Sequence, residues 1–338
     1  MLQVIGPNPI RHFYRGGGAL FSFRGLEPGP APEPEDWIAS TTSRFNQAPA
    51  GLSRLADGSV LAELVAADPL AFLGPEHVAA FGEDAALLVK LIDSAERLIV
   101  HAHPDRAFAR RHLGCAHGKT EAWVVLSDGE VWVGFSRTVD PGELAEWVEA
   151  RRVDEMLAAL CRLEVRRGDA VLVPAGVPHA LGPGVLIVEL QEPTDFSICL
   201  ERRDLADPSL GLDWGVALEA VDRSPWDGER LARLLGPGLG GGGVTGRGRV
   251  LPEIADPFFR AELVAGEGAE LKPGLAVLVV LAGSGQITAS AGTSVAVRAG
   301  TTLLLPHAAG PARIGGDAVV LACRPPAPGP LEPARPLV

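Results

Sequence analysis

Between Leu87 and Leu200 the chain breaks into short β-rich runs, each closed by residues that favour turns. Leu87–Ile92, Arg97–His101, Glu121–Leu126, Glu130–Phe135, Cys161–Val165, Ala170–Val173, Val185–Leu190 and Phe196–Leu200 are rich in β-branched and aromatic residues. Asp93–Glu96 reads as a turn, and Ser127-Asp-Gly129 as a hairpin signal between its flanking runs. Strands at this short spacing, with one helical interlude and no regular strand–helix alternation, predict an antiparallel barrel or jelly roll. A parallel α/β sheet is excluded by the same pattern.

Within that frame, Leu98-Ile-Val-His-Ala-His-Pro-Asp105 carries the chemistry. Residues i and i+2 of a strand share a face, so His101 and His103 project into one space. Glu121 opens the next β run, and a third imidazole, His179, lies far downstream. Imidazole nitrogens with one carboxylate are donors that a borderline divalent cation accepts, at about 2.0–2.2 Å. Gly168, Pro174, Gly176 and His179 also stand at the spacing of the second cupin motif, and His101-Ala-His103 with Glu121 resembles the first with a longer spacer. The expected fold is therefore all-β dominated with helical insertions, built as cupin-type double-stranded β-helix barrels.

The 338 residues point to two domains. Apolar residues make up 47% of the chain, enough for sizeable cores, and no apolar run reaches the roughly 18 residues of a membrane span. Met1–Pro7 lacks the basic and apolar regions of a secretory signal. The four cysteines, Cys115, Cys161, Cys199 and Cys323, are widely separated, which suits a reduced, cytoplasmic protein. A net charge of −12 argues against nucleic acid as a partner, and no membrane partner is expected. Lysine is scarce: Lys90, Lys119 and Lys272 are the only ones among 30 basic residues, so a lysine inside a motif carries weight.

A catalytic domain is expected over 1–235, a Gly-rich linker over 236–248 and a metal-free cupin-like domain over 249–338. Residues 1–36 read as irregular, with a proline-rich run from Glu27 to Pro34. Helices are expected over 59–67, capped by Asp57 or Ser59, then over 105–112 ended by Gly114. Further helices are expected from the Asp140 cap to about Leu160, and over 227–235. In the C-terminal part Ala299–Pro306 repeats the rhythm of Arg167–Pro174, but His307 stands alone there. That barrel is read as a packing partner for the first, with a homodimer possible through it. His112 and His117 read as loop or helix-surface residues, and Cys199 as a small buried one.

Leu87–Asp93, His101–Asp105, Gly118-Lys-Thr-Glu-Ala-Trp123, Val173–His179 and Leu186–Glu192 follow one another in the order of the type I mannose-6-phosphate isomerases, which the chain resembles over roughly residues 10–200. Glu35-Asp-Trp-Ile-Ala-Ser40 is similar to an early signature of that family. The resemblance implies a zinc-dependent aldose–ketose isomerase acting on a small sugar or sugar phosphate through an enediol. It places metal ligands at His103, Glu121 and His179, with His101 where the family has glutamine. It also marks Lys119 as an active-site lysine and Glu189 as a pocket glutamate; for the base near the C1/C2 protons Glu189 is the first candidate and a metal-bound hydroxide the second. Lys119 and Glu121 are i, i+2, so both can face the cation.

Two positions depart from the pattern. Ile99 stands where a serine helps hold phosphate, and Cys199 where an arginine is placed. Losing a guanidinium removes the group best suited to phosphate, and Arg15, Arg202 or Arg203 are candidates to replace it. A non-phosphorylated sugar is therefore an alternative substrate. The three-histidine, one-glutamate set also suits Fe2+, Mn2+ or Ni2+, which keeps open a cupin oxygenase or lyase and a non-catalytic sugar-binding cupin.

Overall fold

The computed structural model describes residues 1–203, 205–240 and 246–328. Four antiparallel sheets form two barrels. In the first barrel a six-stranded sheet runs, in spatial order, Pro9–Ile10, Glu35–Ile38, Leu88–Asp93, Leu186–Gln191, Glu121–Val125 and Ala170–Val173. Facing it, a five-stranded sheet runs Ile198–Cys199, His101–Ala102, His179–Leu181, Gly129–Phe135 and Leu160–Val165. The second barrel pairs a six-stranded sheet (Gln3–Val4, Thr302–Leu305, Ala276–Ala282, Val319–Arg324, Arg260–Ala265, Gly246–Arg249) with a four-stranded one (Glu270–Leu271, Ala312–Gly316, Ser284–Ala289, Ser294–Arg298). Both are jelly-roll barrels of the cupin type, as the strand spacing implied.

The two barrels meet through the outer faces of their six-stranded sheets. Val89, Leu91, Val124 and Leu190 of the first share one core with Leu263, Val277, Val279 and Leu321 of the second. This explains why Leu88–Asp93 and Leu186–Gln191 read as unbroken apolar runs: both of their faces are buried. One face packs on the second barrel, and the other turns the alternate residues, Lys90 and Glu189, into the first.

Several sequence expectations need correction. Ser127-Asp-Gly129 is not a hairpin, because Glu121–Val125 pairs with Leu186–Gln191 and Ala170–Val173 while Gly129–Phe135 pairs in the opposite sheet. The turn is a corner between sheets, held by the Ser127 hydroxyl, which donates to the Gly184 carbonyl and accepts the Leu186 N–H. Residues 1–36 are mostly irregular, the proline-rich run included, but they also hold two short strands and the helix Ala19–Arg24. Gln3–Val4 pairs with Leu303 and Leu304, so the chain's first strand belongs to the second barrel. Arg24 reinforces that link, donating to the Ile5 carbonyl and to Thr302 while lying 3.4 Å from Asp36.

The helix at 59–67 runs Leu61–Ala67 from Val60 without a side-chain cap, and Asp57 instead accepts the Ser59 N–H. The interlude after the Asp140 cap is two helices, Pro141–Glu149 and Val153–Ala159, broken where Arg151 takes a positive φ of 55°. Asp105 caps Arg106–Phe108, which runs into a wider π-helical turn, Ala109–Leu113, ended at Gly114. Gly228–Leu234 forms behind its Asp227 cap. Of the expected linker, 241–245 lie outside the described residues, and Gly246–Arg249 is a strand paired with Arg260–Ala265. Among the described residues no helix is long and apolar enough to cross a membrane.

Candidate metal centre

Strand register brings the imidazoles together. His101 is the direct cross-strand partner of His179 on one side and of Cys199 on the other. His103 lies two residues along the same chain segment. Ring centroids are 4.1 Å apart for His101 and His179, 5.0 Å for His101 and His103, and 4.8 Å for His103 and His179. One nitrogen from each ring falls within 4.8 Å of the others, and this is the one such three-residue group among the described residues. Glu121 reaches in from the facing sheet, with carboxylate oxygens 3.0 Å from His103 Nε2 and 3.3 Å from His179 Nε2. The four expected ligands thus converge.

The ring orientations suit a cation. Each Nδ1 lies against a backbone carbonyl: Ile99 O for His101 and Val177 O for His179, both at 2.8 Å, and Phe196 O for His103 at 2.7 Å. A carbonyl only accepts, so Nδ1 carries the proton and Nε2 keeps its lone pair. His179 Nε2 is buried without a hydrogen-bond partner, its lone pair turned toward a carboxylate. The Lys119 ammonium already lies where positive charge is wanted, 2.8 Å from His103 Nε2 and 2.7 Å from Glu121 Oε2. Burial, with the neighbouring rings and Lys119, keeps His101 neutral, and burial beside Lys119 takes His103 down to about 3. Burial pushes the Glu121 carboxyl up, but Lys119 and His103 outweigh it and hold it well below the usual range. Neutral imidazoles, one anionic carboxylate and an orphaned lone pair fit a divalent cation.

Alternation on the six-stranded sheet supplies the rest of the site. Lys119, Glu121 and Trp123 share a face; the Trp123 indole N–H donates to Glu121 Oε1 at 3.0 Å and fixes the second oxygen. Trp37, Lys90, Glu189 and Trp123 lie in register across four neighbouring strands. Glu189 lies 3.4 Å from Lys90 and has no hydrogen-bond partner for Oε1; burial, with Glu121 nearby, raises it to about 7. Lys90 stands over the Trp37 ring and 3.5 Å from Glu35. Glu35 accepts from Tyr14 and Trp37, and Lys90 beside it keeps it ionised against burial. His101, His179, Glu121 and Lys119 line one cavity together with Glu189, Lys90, Tyr14, Asp195 and Cys199.

Sequence reasoning singled out Lys119 and Glu189 but gave no role to Lys90, Tyr14, Trp123 or Asp195. The scarcity of lysine was the available signal for Lys90. His117 is not a surface residue: it is buried, 2.6 Å from Asp84, with Glu192 3.8 Å away on its other side. Arg202 stacks over Trp214 and Arg203 pairs with Glu201, while Arg15 does not line the cavity, so none replaces a guanidinium at position 199.

A pair of packed jelly-roll barrels, with imidazoles and a carboxylate converging inside the first, defines a two-barrel cupin protein with a cluster of side chains that could hold a metal ion. No family model matches the chain. A mannose-6-phosphate isomerase from Streptococcus mutans is 30% identical over 267 residues, 75% of this chain and 80% of that protein. The chain belongs to the mannose-6-phosphate isomerase family, a family of aldose–ketose isomerases. The same fold recurs in the mannose 6-phosphate isomerase of Bacillus subtilis (TM-score 0.74, 21% identity, 96% of this chain and 99% of that one). It recurs also in a mutant phosphomannose isomerase from Salmonella typhimurium (TM-score 0.75, 13% identity, 96% and 99%).

Proposed function

We propose that this protein interconverts an aldose and its ketose, of the mannose 6-phosphate/fructose 6-phosphate type, at a divalent metal held by His101, His103, Glu121 and His179. Zinc is the metal the family resemblance favours. When bound, such a cation acts as a Lewis acid for neighbouring sugar oxygens, a contribution of several kcal/mol to an anionic transition state.

The protein's own residues account for the proton movements. Isomerisation removes a proton from the carbon beside the carbonyl and returns it to the neighbouring carbon, through an enediolate. A base for this needs a pKa near the working pH, so that it both takes and gives the proton. Glu189, buried beside Lys90 and raised to about 7, meets that requirement. Lys119 is set to donate to the oxygen that gains charge. The Lys90–Glu35–Tyr14 network holds a fixed positive charge beside Glu189 inside a buried pocket, where it acts more strongly than in water.

The observation that carries this reading is the convergence of three imidazoles, each with Nδ1 tied back to a carbonyl, on a carboxylate paired with the buried Lys119. The decisive experiment loads purified protein separately with zinc, manganese and iron, then follows interconversion of mannose 6-phosphate and fructose 6-phosphate beside free mannose and fructose. Turnover that depends on the metal and is lost in Glu189→Gln is expected. No turnover of either sugar pair with any metal would refute the reading.

A further inference from the structure

Glu121 is fixed by its sheet, where it pairs with Gln191 and Val173, but Lys119 precedes the first ladder residue. Contacts outside the ladder place its backbone instead. The Lys119 N–H donates to the Pro104 carbonyl at 3.0 Å, and the Thr194 hydroxyl donates to the Gly118 carbonyl at 2.7 Å. Glu192 grips Thr120 twice. Thr120 N–H donates to Glu192 Oε2 at 2.9 Å, and the Thr120 carbonyl accepts the Glu192 N–H at 3.1 Å. The other carboxylate oxygen, Oε1, accepts from Arg106 Nε at 2.5 Å; His117 Nδ1, 3.8 Å from it, is beyond hydrogen-bond reach. Arg106 extends past Glu192 to the segment that leads into the Arg260–Ala265 strand of the second barrel. There its Nη2 donates to the Pro257 carbonyl at 3.2 Å, and its guanidinium carbon stands 4.8 Å from the centre of the Phe258 ring. Arg106 is 4% exposed and Glu192 1%, so solvent does not screen the pair.

We infer that Arg106 and Glu192 are positioning residues for Lys119, through which the second barrel sets where the Lys119 ammonium stands. This rests on the isomerase reading above and adds to it a role for the second barrel. The two barrels already share one apolar core, and a buried ion pair adds little net stability, because desolvation offsets its attraction. What the pair adds is direction, since a guanidinium fork and a carboxylate meet in a narrow range of geometries. That direction passes through Thr120 to its neighbour Lys119, whose Nζ must lie within hydrogen-bond reach of the cluster, 2.7 Å from Glu121 Oε2. Misplacing such a group by about 1 Å costs on the order of 100-fold in rate. Glu121, held by the ladder on both sides, does not depend on Arg106 in this way.

The test is a double-mutant cycle on turnover of mannose 6-phosphate by metal-loaded protein. Arg106→Met and Glu192→Leu are made alone and together with Lys119→Ala. Arg106→Met/Glu192→Leu, which leaves no lone buried charge, stands in where a single variant fails to fold. Each should lower kcat about 10-fold or more, with KM and metal content within about 2-fold of wild type. On the Lys119→Ala background the further loss should be under about 2-fold, and Arg106→Lys should recover part of the rate. An equal loss on both backgrounds, a loss of metal in step with kcat, or an unchanged kcat would overturn the assignment. Amide hydrogen exchange gives a readout that needs no turnover. Exchange at Thr120 should speed about 10-fold or more in each variant, while Val124, inside the strand, keeps its wild-type rate. Unchanged exchange at Thr120, or equal acceleration at Val124, would also overturn it. Absence of turnover in wild type beside the expected exchange pattern would refute the isomerase reading alone.

Discussion

His101 and His179 are direct partners across two antiparallel strands, their ring centroids 4.1 Å apart, and each ties its own Nδ1 to the carbonyl two residues earlier. The two imidazoles are thus oriented by the same local device on adjacent strands.

Metal content follows from that geometry. Wild-type protein should bind one divalent cation, and His179→Ala or Glu121→Gln should weaken binding by more than about 100-fold, leaving a buried donor set incomplete. His101→Gln, which restores the family's amide, should retain the metal more weakly than wild type. A cation present at about 100 times its Kd adds roughly 2.7 kcal/mol to stability, so chelation should lower Tm by several degrees. Elemental analysis with thermal unfolding checks both; equal metal content in all variants would remove these residues from the ligand set.

Lys119→Ala should reduce kcat by about 10²–10³-fold, the range for loss of one donor to a developing oxyanion, while the metal stays bound. Glu189→Gln should reduce it by about 10²–10⁴-fold and should also abolish exchange of the substrate C2 proton with solvent deuterium. The exchange measurement separates the two: Lys119→Ala slows exchange in proportion to turnover, whereas Glu189→Gln removes the group that carries the proton.

Stability should depend on pH through His117. Burial lowers its pKa, but the hydrogen bond to Asp84 and the nearby Glu192 carboxylate outweigh this and raise it to about 9, from a usual value of 6.5. A raised pKa means the folded form holds the proton more tightly, so the contribution is complete below about pH 6.5 and fades as pH rises through 9. Wild type should lose about 1–3 kcal/mol across that window that His117→Gln does not. Parallel urea unfolding curves for the two proteins across this window would show no coupling at His117. The same Glu192 accepts the Thr120 N–H at 2.9 Å and Arg106 Nε at 2.5 Å, so His117 also supports the strand that carries Lys119 and Glu121.

Gly134→Ala should destabilise the first barrel by about 2–4 kcal/mol. Gly134 has a φ of 73°, and an added Cβ would come within 2.4 Å of the Trp226 ring. Its N–H donates to the Pro178 carbonyl beside His179 at 2.8 Å, so the damage should reach the metal site as weaker metal binding. A variant that unfolds and binds metal like wild type would show that Trp226 yields without cost.

Local sequence alone determined the strands, the ligand types and much of the capping. Alternation places His101 beside His103 and Lys119 beside Glu121, and short-range hydrogen bonding makes caps of Asp105, Asp140 and Asp227, because these rules act over a few residues. Pairing was not legible in the same way. Ser127-Asp-Gly129 has hairpin residues, yet its flanking strands enter opposite sheets, each pairing with segments distant in the chain. The placement of Gln3–Val4 in the second barrel, the row Trp37–Lys90–Glu189–Trp123, and Arg106 between Glu192 and Pro257 all depend on contacts between distant segments. Only tertiary packing decides those, since one strand surface can satisfy several partners and the whole fold selects the set that buries the most while leaving the fewest charges unpaired.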